Sequence, residues 1–126
     1  MNGEAKLFVA VGAAMAALAV ILGAFEAHAL KARLPVELLE VYHTAVRYQF
    51  WHALGVLAVG LALQLSSETG WLRAAGWLLT TGIVLFCGSL YLLALTGSTW
   101  LGAVTPLGGM AFILGWLALV VAALRA

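Results

Sequence analysis

Four long apolar runs, Leu7 to Phe25, Tyr48 to Leu65, Leu72 to Leu95 and Leu107 to Leu124, occupy most of the chain. At about 1.5 Å rise per residue, a helix over any one of them covers roughly the 30 Å hydrocarbon core of a bilayer. The chain is therefore expected to be an all-α four-helix transmembrane bundle, a single four-span domain over residues 1–126.

Composition agrees. With 65% hydrophobic and 9% charged residues and a mean hydropathy of +1.11, there is more apolar surface than a soluble core of this size can hide. The net charge of +1 provides no basic field for nucleic acid, and the six Lys and Arg residues are scattered singly rather than gathered into a headgroup-binding patch. Nucleic acid is thus excluded as a partner. The lone Cys87 has no partner for an intrachain disulfide and reads as a small buried apolar residue. At the N-terminus, Lys6, an apolar stretch and Ala27-His28-Ala29 imitate a signal peptide, but the 19-residue stretch exceeds the roughly 7 to 15 residues of a signal core. The first run is expected to be a mature span.

Four spans put both termini and the Ser66 to Trp71 loop on one side, here the terminal side. The Glu26 to Arg47 segment and the Thr96 to Thr105 loop share the other, the loop side. Lys6, Arg73 and Arg125 balance Lys31, Arg33 and Arg47, so the charge rule does not orient the chain, and Trp71 and Trp100 read as belt residues on opposite interfaces. Gly97 is placed to cap the third helix in a left-handed conformation, and Thr105-Pro106 reads as an N-cap followed by a first-turn proline. After Pro35, the spacing of Glu37, Glu40 and Arg47 predicts an amphipathic helix over Val36 to Arg47, lying in the headgroup region or running straight into the second span. Small residues within the runs, such as Gly12 with Ala16 and Ala19 with Gly23, allow close helix packing in lipid.

Most of the polar chemistry lies in the loop-side half. Thr44, Tyr48 and His52 follow one another at i, i+4 on one stripe of the second helix, with Gln49 beside them. Cys87, Ser89 and Tyr91 reach a similar depth on the third helix, and Gly108 and Gly109 would leave room nearby. Two readings follow: interhelical hydrogen bonds that hold the bundle, or a ligand or ion site. His28 reads as capping the end of the first helix or as a ligand. His43 reads as a lone exposed histidine, and Glu26 as reaching the headgroup zone or pairing with Lys31 or Arg33. The terminal side reads as little more than connections.

No GxSxG elbow, HExxH helix, phosphate-binding glycine loop or CxxC pair occurs, so no catalytic residue, metal or cofactor is assigned. His28 and His52 could in principle ligate a haem.

The stretches Gly23-Ala24-Phe25-Glu26-Ala27-His28-Ala29-Leu30-Lys31, Thr44-Ala45-Val46-Arg47-Tyr48-Gln49-Phe50-Trp51-His52-Ala53-Leu54, Gly88-Ser89-Leu90-Tyr91, Ala94-Leu95-Thr96-Gly97 and Val104-Thr105-Pro106-Leu107-Gly108-Gly109 occur in that order. Together they resemble the domain-of-unknown-function 423 family, the YgdD/YwdK-like small membrane proteins. His28, Tyr48, Gln49, His52, Ser89, Tyr91, Thr105 and Pro106 match the family pattern; Glu26 and Cys87 depart from it, glycine and often serine standing there. The resemblance implies a four-span protein of the bacterial inner membrane with no established activity. Relatives with more basic termini imply that the terminal side is cytoplasmic. The function expected is non-enzymatic: binding of a membrane lipid, a small molecule or a membrane-protein partner through the loop-side half. The alternatives are an oligomeric small transporter or channel, and a haem or quinone redox protein.

Overall fold

A computed structural model describes residues 1–126. Helix α1 spans Gly3–Phe25 and continues through a single π turn, Glu26–Leu30. Helix α2 spans Val36–Leu65. Helices α3, Gly70–Gly82, and α4, Gly88–Thr96, are the two halves of one span, joined by a second π turn at Ile83–Cys87. A short 3-10 turn, Thr99–Ala103, leads into α5, Thr105–Arg125. Four of these helical stretches are long and apolar enough to cross a membrane, as the apolar runs require.

The expected amphipathic segment is the first two fifths of α2, not a separate surface helix. Pro35 stands immediately before the first turn, where its missing N–H costs nothing. At 30 residues α2 is about 45 Å long, so its opening turns project beyond the hydrocarbon. Gly97 takes the expected left-handed conformation, with φ 73° and its N–H on the Leu93 carbonyl at 2.8 Å. Thr105 departs from expectation. It is the first residue of α5, behind Val104, and its hydroxyl makes no cap; instead it turns toward Ser89 at 2.7 Å.

In lipid, apolar side chains are as well solvated outside the bundle as inside it, so close backbone approach must supply the packing. The α1–α2 contact is built this way. A Cβ on Gly12 would lie 2.6 Å from the Leu57 backbone nitrogen, and one on Gly60 2.7 Å from that of Val9. Each helix therefore lends one glycine to the backbone of the other. Phe8, Val56, Val59 and Leu79 fill the centre, fully buried. Val20, Ile21, Leu61, Val84, Ile113 and Leu124 face outward, an apolar exterior that suits a bilayer.

The terminal side is more than a set of connections. Asn2 accepts from the Ala5 N–H at 2.8 Å, and its own N–H donates to Gln64 Oε1 at 2.9 Å, tying the start of α1 to the end of α2. Glu4 pairs with Arg73 at 2.8 Å, and Glu68 with Arg125 at 3.7 Å. All four spans are tied together at this end.

Candidate functional site

The loop-side polar residues do not form one cluster; the fold sorts them into two structures. The first is a seam. Gln49, 2% exposed, donates from Nε2 to the Met15 carbonyl of α1 at 2.9 Å and accepts at Oε1 from the Tyr91 hydroxyl of α4 at 2.7 Å. A single carboxamide, donor at one end and acceptor at the other, thus joins three spans. Tyr91 meets Tyr42 edge to face at 5.2 Å, and the Tyr42 hydroxyl donates to the Leu22 carbonyl of α1 at 2.7 Å. The Ser89 and Thr105 hydroxyls share a hydrogen bond at 2.7 Å that links α4 to the start of α5, and each also faces a backbone carbonyl, Ser89 that of Phe86 at 2.9 Å and Thr105 that of Leu101 at 3.4 Å. At roughly 0.6 kcal/mol per interhelical bond, these contacts contribute about 2 kcal/mol to the bundle. Every hydrogen-bonding group used here has a partner within the protein.

The second is a groove between α2, the π turn at Ile83–Cys87 and α5, of about 420 Å³. Tyr48, His52, Phe86, Phe112 and Trp116 form its aromatic wall. His52 lies flat on Phe112, ring centroids 3.6 Å apart and planes 15° apart, with Tyr48 stacked 5.7 Å away on its own helix. Phe86 packs on Tyr48 at 4.6 Å and on Phe112 at 5.3 Å, and Trp116 closes the far end 5.8 Å from His52.

His52 is 7% exposed and faces inward, yet its hydrogen bond is not to another helix. Nδ1 donates to the Tyr48 carbonyl one turn back, at 2.7 Å. A carbonyl can only accept, so Nδ1 carries the proton, and in the neutral ring Nε2 is a lone-pair acceptor. Nε2 has no partner within the protein, and no side-chain nitrogen or oxygen is both unpaired and closed off. It therefore opens into the groove. The Tyr48 hydroxyl is likewise without a protein partner.

Other expected site residues lie apart from this groove. Thr44 spends its hydroxyl on the Glu40 carbonyl of its own helix, at 2.9 Å. His28 sits exposed on the π turn after α1 and caps nothing; the terminal carbonyls of Glu26 and Leu30 are taken by the N–H groups of Lys31, Arg33 and Leu34. It does not line the His52 groove, so the two histidines that could in principle ligate a haem do not share that groove. Glu26 pairs with His43, Oε1 to Nδ1 at 3.2 Å, rather than with Lys31 or Arg33, neither of which makes an ion pair within the protein. Gly108 leaves no room either: a Cβ there would collide with the Phe86 backbone. No group of three or more His, Cys, Asp or Glu is placed to hold a metal ion.

Sequence reasoning missed Phe86, Phe112, Trp116 and Tyr42. Phe112 and Trp116 stand at i, i+4 on α5 and mirror Tyr48 and His52 on α2, a signal that pairing the stripes could have found. Phe86 had no such signal, since its direction is set by the π turn.

The model of the family described as protein of unknown function (DUF423) matches residues 22–109, a span that includes both the seam residues of α2 to α4 and most of the groove. The UPF0382 membrane protein YwdK of Bacillus subtilis is 50% identical over 120 residues, covering 95% of this chain and 98% of its own. UPF0382 membrane proteins of Staphylococcus epidermidis and Staphylococcus saprophyticus are each 48% identical, over 95% and 92% of this chain and 97% and 95% of their own. No solved structure matches.

Proposed function

This chain belongs to the DUF423 family of membrane proteins of unknown function, and we propose that it acts without catalysis, by binding a small bilayer-dissolved molecule in the His52 groove. The observation that carries the reading is the unpartnered Nε2 of a 93%-buried histidine opening into an aromatic recess. Hydrocarbon supplies no donor to this acceptor, so a ligand that does gains a hydrogen bond at little desolvation cost. The complementary ligand is an apolar alcohol or phenol: a hydroxyl to meet Nε2, and a flat or branched body to lie on Phe112 and Trp116. Tyr48 offers a second polar contact at the mouth. The protein would lie in the bacterial inner membrane with both termini cytoplasmic, and the ligand would enter sideways from the bilayer.

The test is solvent extraction of the protein purified in lipid nanodiscs from its native membrane, followed by mass spectrometry of the bound small molecules. A hydroxylated apolar compound should be enriched over the surrounding lipid. His52→Phe, which keeps the stacking but loses Nε2, should lower its recovery about tenfold, the worth of one hydrogen bond. Equal recovery from both proteins would overturn the reading.

A further inference from the structure

His43 stands nine residues before His52 on α2, and at about 100° per residue the two point to opposite sides of the helix. The His43 side carries a separate groove. Its upper part, about 360 Å³, lies between the π turn at Glu26–Leu30 and the first turns of α2, lined by Gly23, Glu26, Ala27, Lys31, Leu39 and His43. Its lower part is an apolar slot of about 290 Å³ lined by Ala19, Val20, Gly23, Val46 and Phe50. Gly23 lines both. Phe50 lies seven residues past His43, about 10 Å deeper along α2. The groove is therefore polar at the level of the headgroups and apolar in the hydrocarbon.

We propose that this groove binds a glycerophospholipid with a primary-ammonium headgroup, an acyl chain in the slot and the headgroup between Lys31 and Glu26. This site is independent of the His52 groove. Lys31 makes no ion pair within the protein and meets the phosphate. Glu26 is bound by His43 through Oε1 alone; its second oxygen remains an acceptor in a carboxylate that is only 20% exposed. A primary ammonium brings three N–H donors to it. A quaternary ammonium brings none, and the upper recess has no Trp, Tyr or Phe to hold one by cation–π contact, its apolar lining being Ala27 and Leu39. An uncharged polyol headgroup would leave the Glu26 charge unmet.

The protein, incubated in vesicles holding equal parts of phosphatidylethanolamine, phosphatidylcholine and phosphatidylglycerol with identical acyl chains, is extracted and its retained lipid counted by native mass spectrometry. Phosphatidylethanolamine should be retained about tenfold over phosphatidylcholine. Glu26→Gln, at a partly exposed position, should reduce that preference below threefold, and Lys31→Ala should lower retention of all three lipids. Gly23→Leu, which fills the junction of slot and recess, should remove the bound lipid. His52→Phe should leave the preference intact, so that failure of either groove is seen separately. Equal retention of the three headgroups, a preference for phosphatidylglycerol, or an ethanolamine preference that survives Glu26→Gln or disappears in His52→Phe would each overturn the proposal.

Discussion

The Tyr91 hydroxyl donates to Gln49 Oε1 at 2.7 Å across two spans, while Gln49 Nε2 reaches the Met15 carbonyl on a third. Removing either end has unequal consequences. Tyr91→Phe keeps Gln49 anchored to α1 but leaves its buried Oε1 without a donor, and should cost about 1 kcal/mol, the low end of the range for one unpaired buried group. Gln49→Leu breaks both bonds and leaves the Tyr91 hydroxyl unpaired in an apolar setting, and should cost about 1 to 3 kcal/mol. The double variant should be less destabilised than the sum of the two, measured by reversible unfolding in bicelles; strict additivity would remove the seam from the account of stability.

Gly108 and Gly109 are neighbours with different tasks. A Cβ on Gly108 would strike the Phe86 backbone, whereas one on Gly109 would sit in ordinary contact, 3.8 Å from the Phe86 ring. Gly108→Ala should therefore push α5 from the π turn, disturb the Phe86 wall of the His52 groove, and lower both thermal stability and small-molecule recovery. Gly109→Ala should leave stability nearly unchanged. Paired melting curves in detergent check this, and equal melting temperatures for the two variants would contradict the described packing.

The Glu4–Arg73 pair at 2.8 Å joins α1 to α3, but both side chains are nearly half exposed. Such pairs are worth about 0 to 1 kcal/mol and are screened by salt. Arg73→Ala should thus lower stability by less than about 1 kcal/mol at low ionic strength, with the difference shrinking as salt is added. A loss that grew with salt would indicate that Arg73 acts through something other than this pair.

Reporter fusions at Met1 and Ala126 should both register as cytoplasmic, and a reporter in the Thr99–Ala103 turn as outside the cytoplasm. The even number of candidate spans requires the two ends to agree; opposite readings would contradict the four-span fold itself, and two external ends would reverse only its orientation.

How much of the site could be read from the chain differs residue by residue. Gln49, Ser89 and Tyr91 were recognisable as a depth-matched polar set because polar groups in an apolar helix stand out and must find partners. Tyr42 carries no comparable sign, since nothing local reveals that the Leu22 carbonyl lies opposite its hydroxyl. Thr44 shared the stripe of Tyr48 and His52 but bonds its own backbone, a competition that threonine offers anywhere in a helix. For Glu26 the neighbours in sequence, Lys31 and Arg33, were the natural partners, and the packing of α2 against the end of α1 brings His43 to it instead.

What the sequence determined by itself is whatever follows from length and local chemistry: four apolar stretches long enough to span a bilayer, the left-handed cap at Gly97, the helix start after Pro35, and the gathering of histidines, tyrosines and amide toward one side. What only the tertiary structure decided is which faces meet. In water the apolar stripe of a helix marks its inner face; in lipid the outer face is equally apolar and the driving force between helices is close packing and hydrogen bonding. Periodicity therefore says little about whether Phe112 faces His52 or the bilayer. That choice was made by backbone approach at Gly12, Gly60 and Gly108, and by two π turns whose extra residue rotates every side chain beyond it.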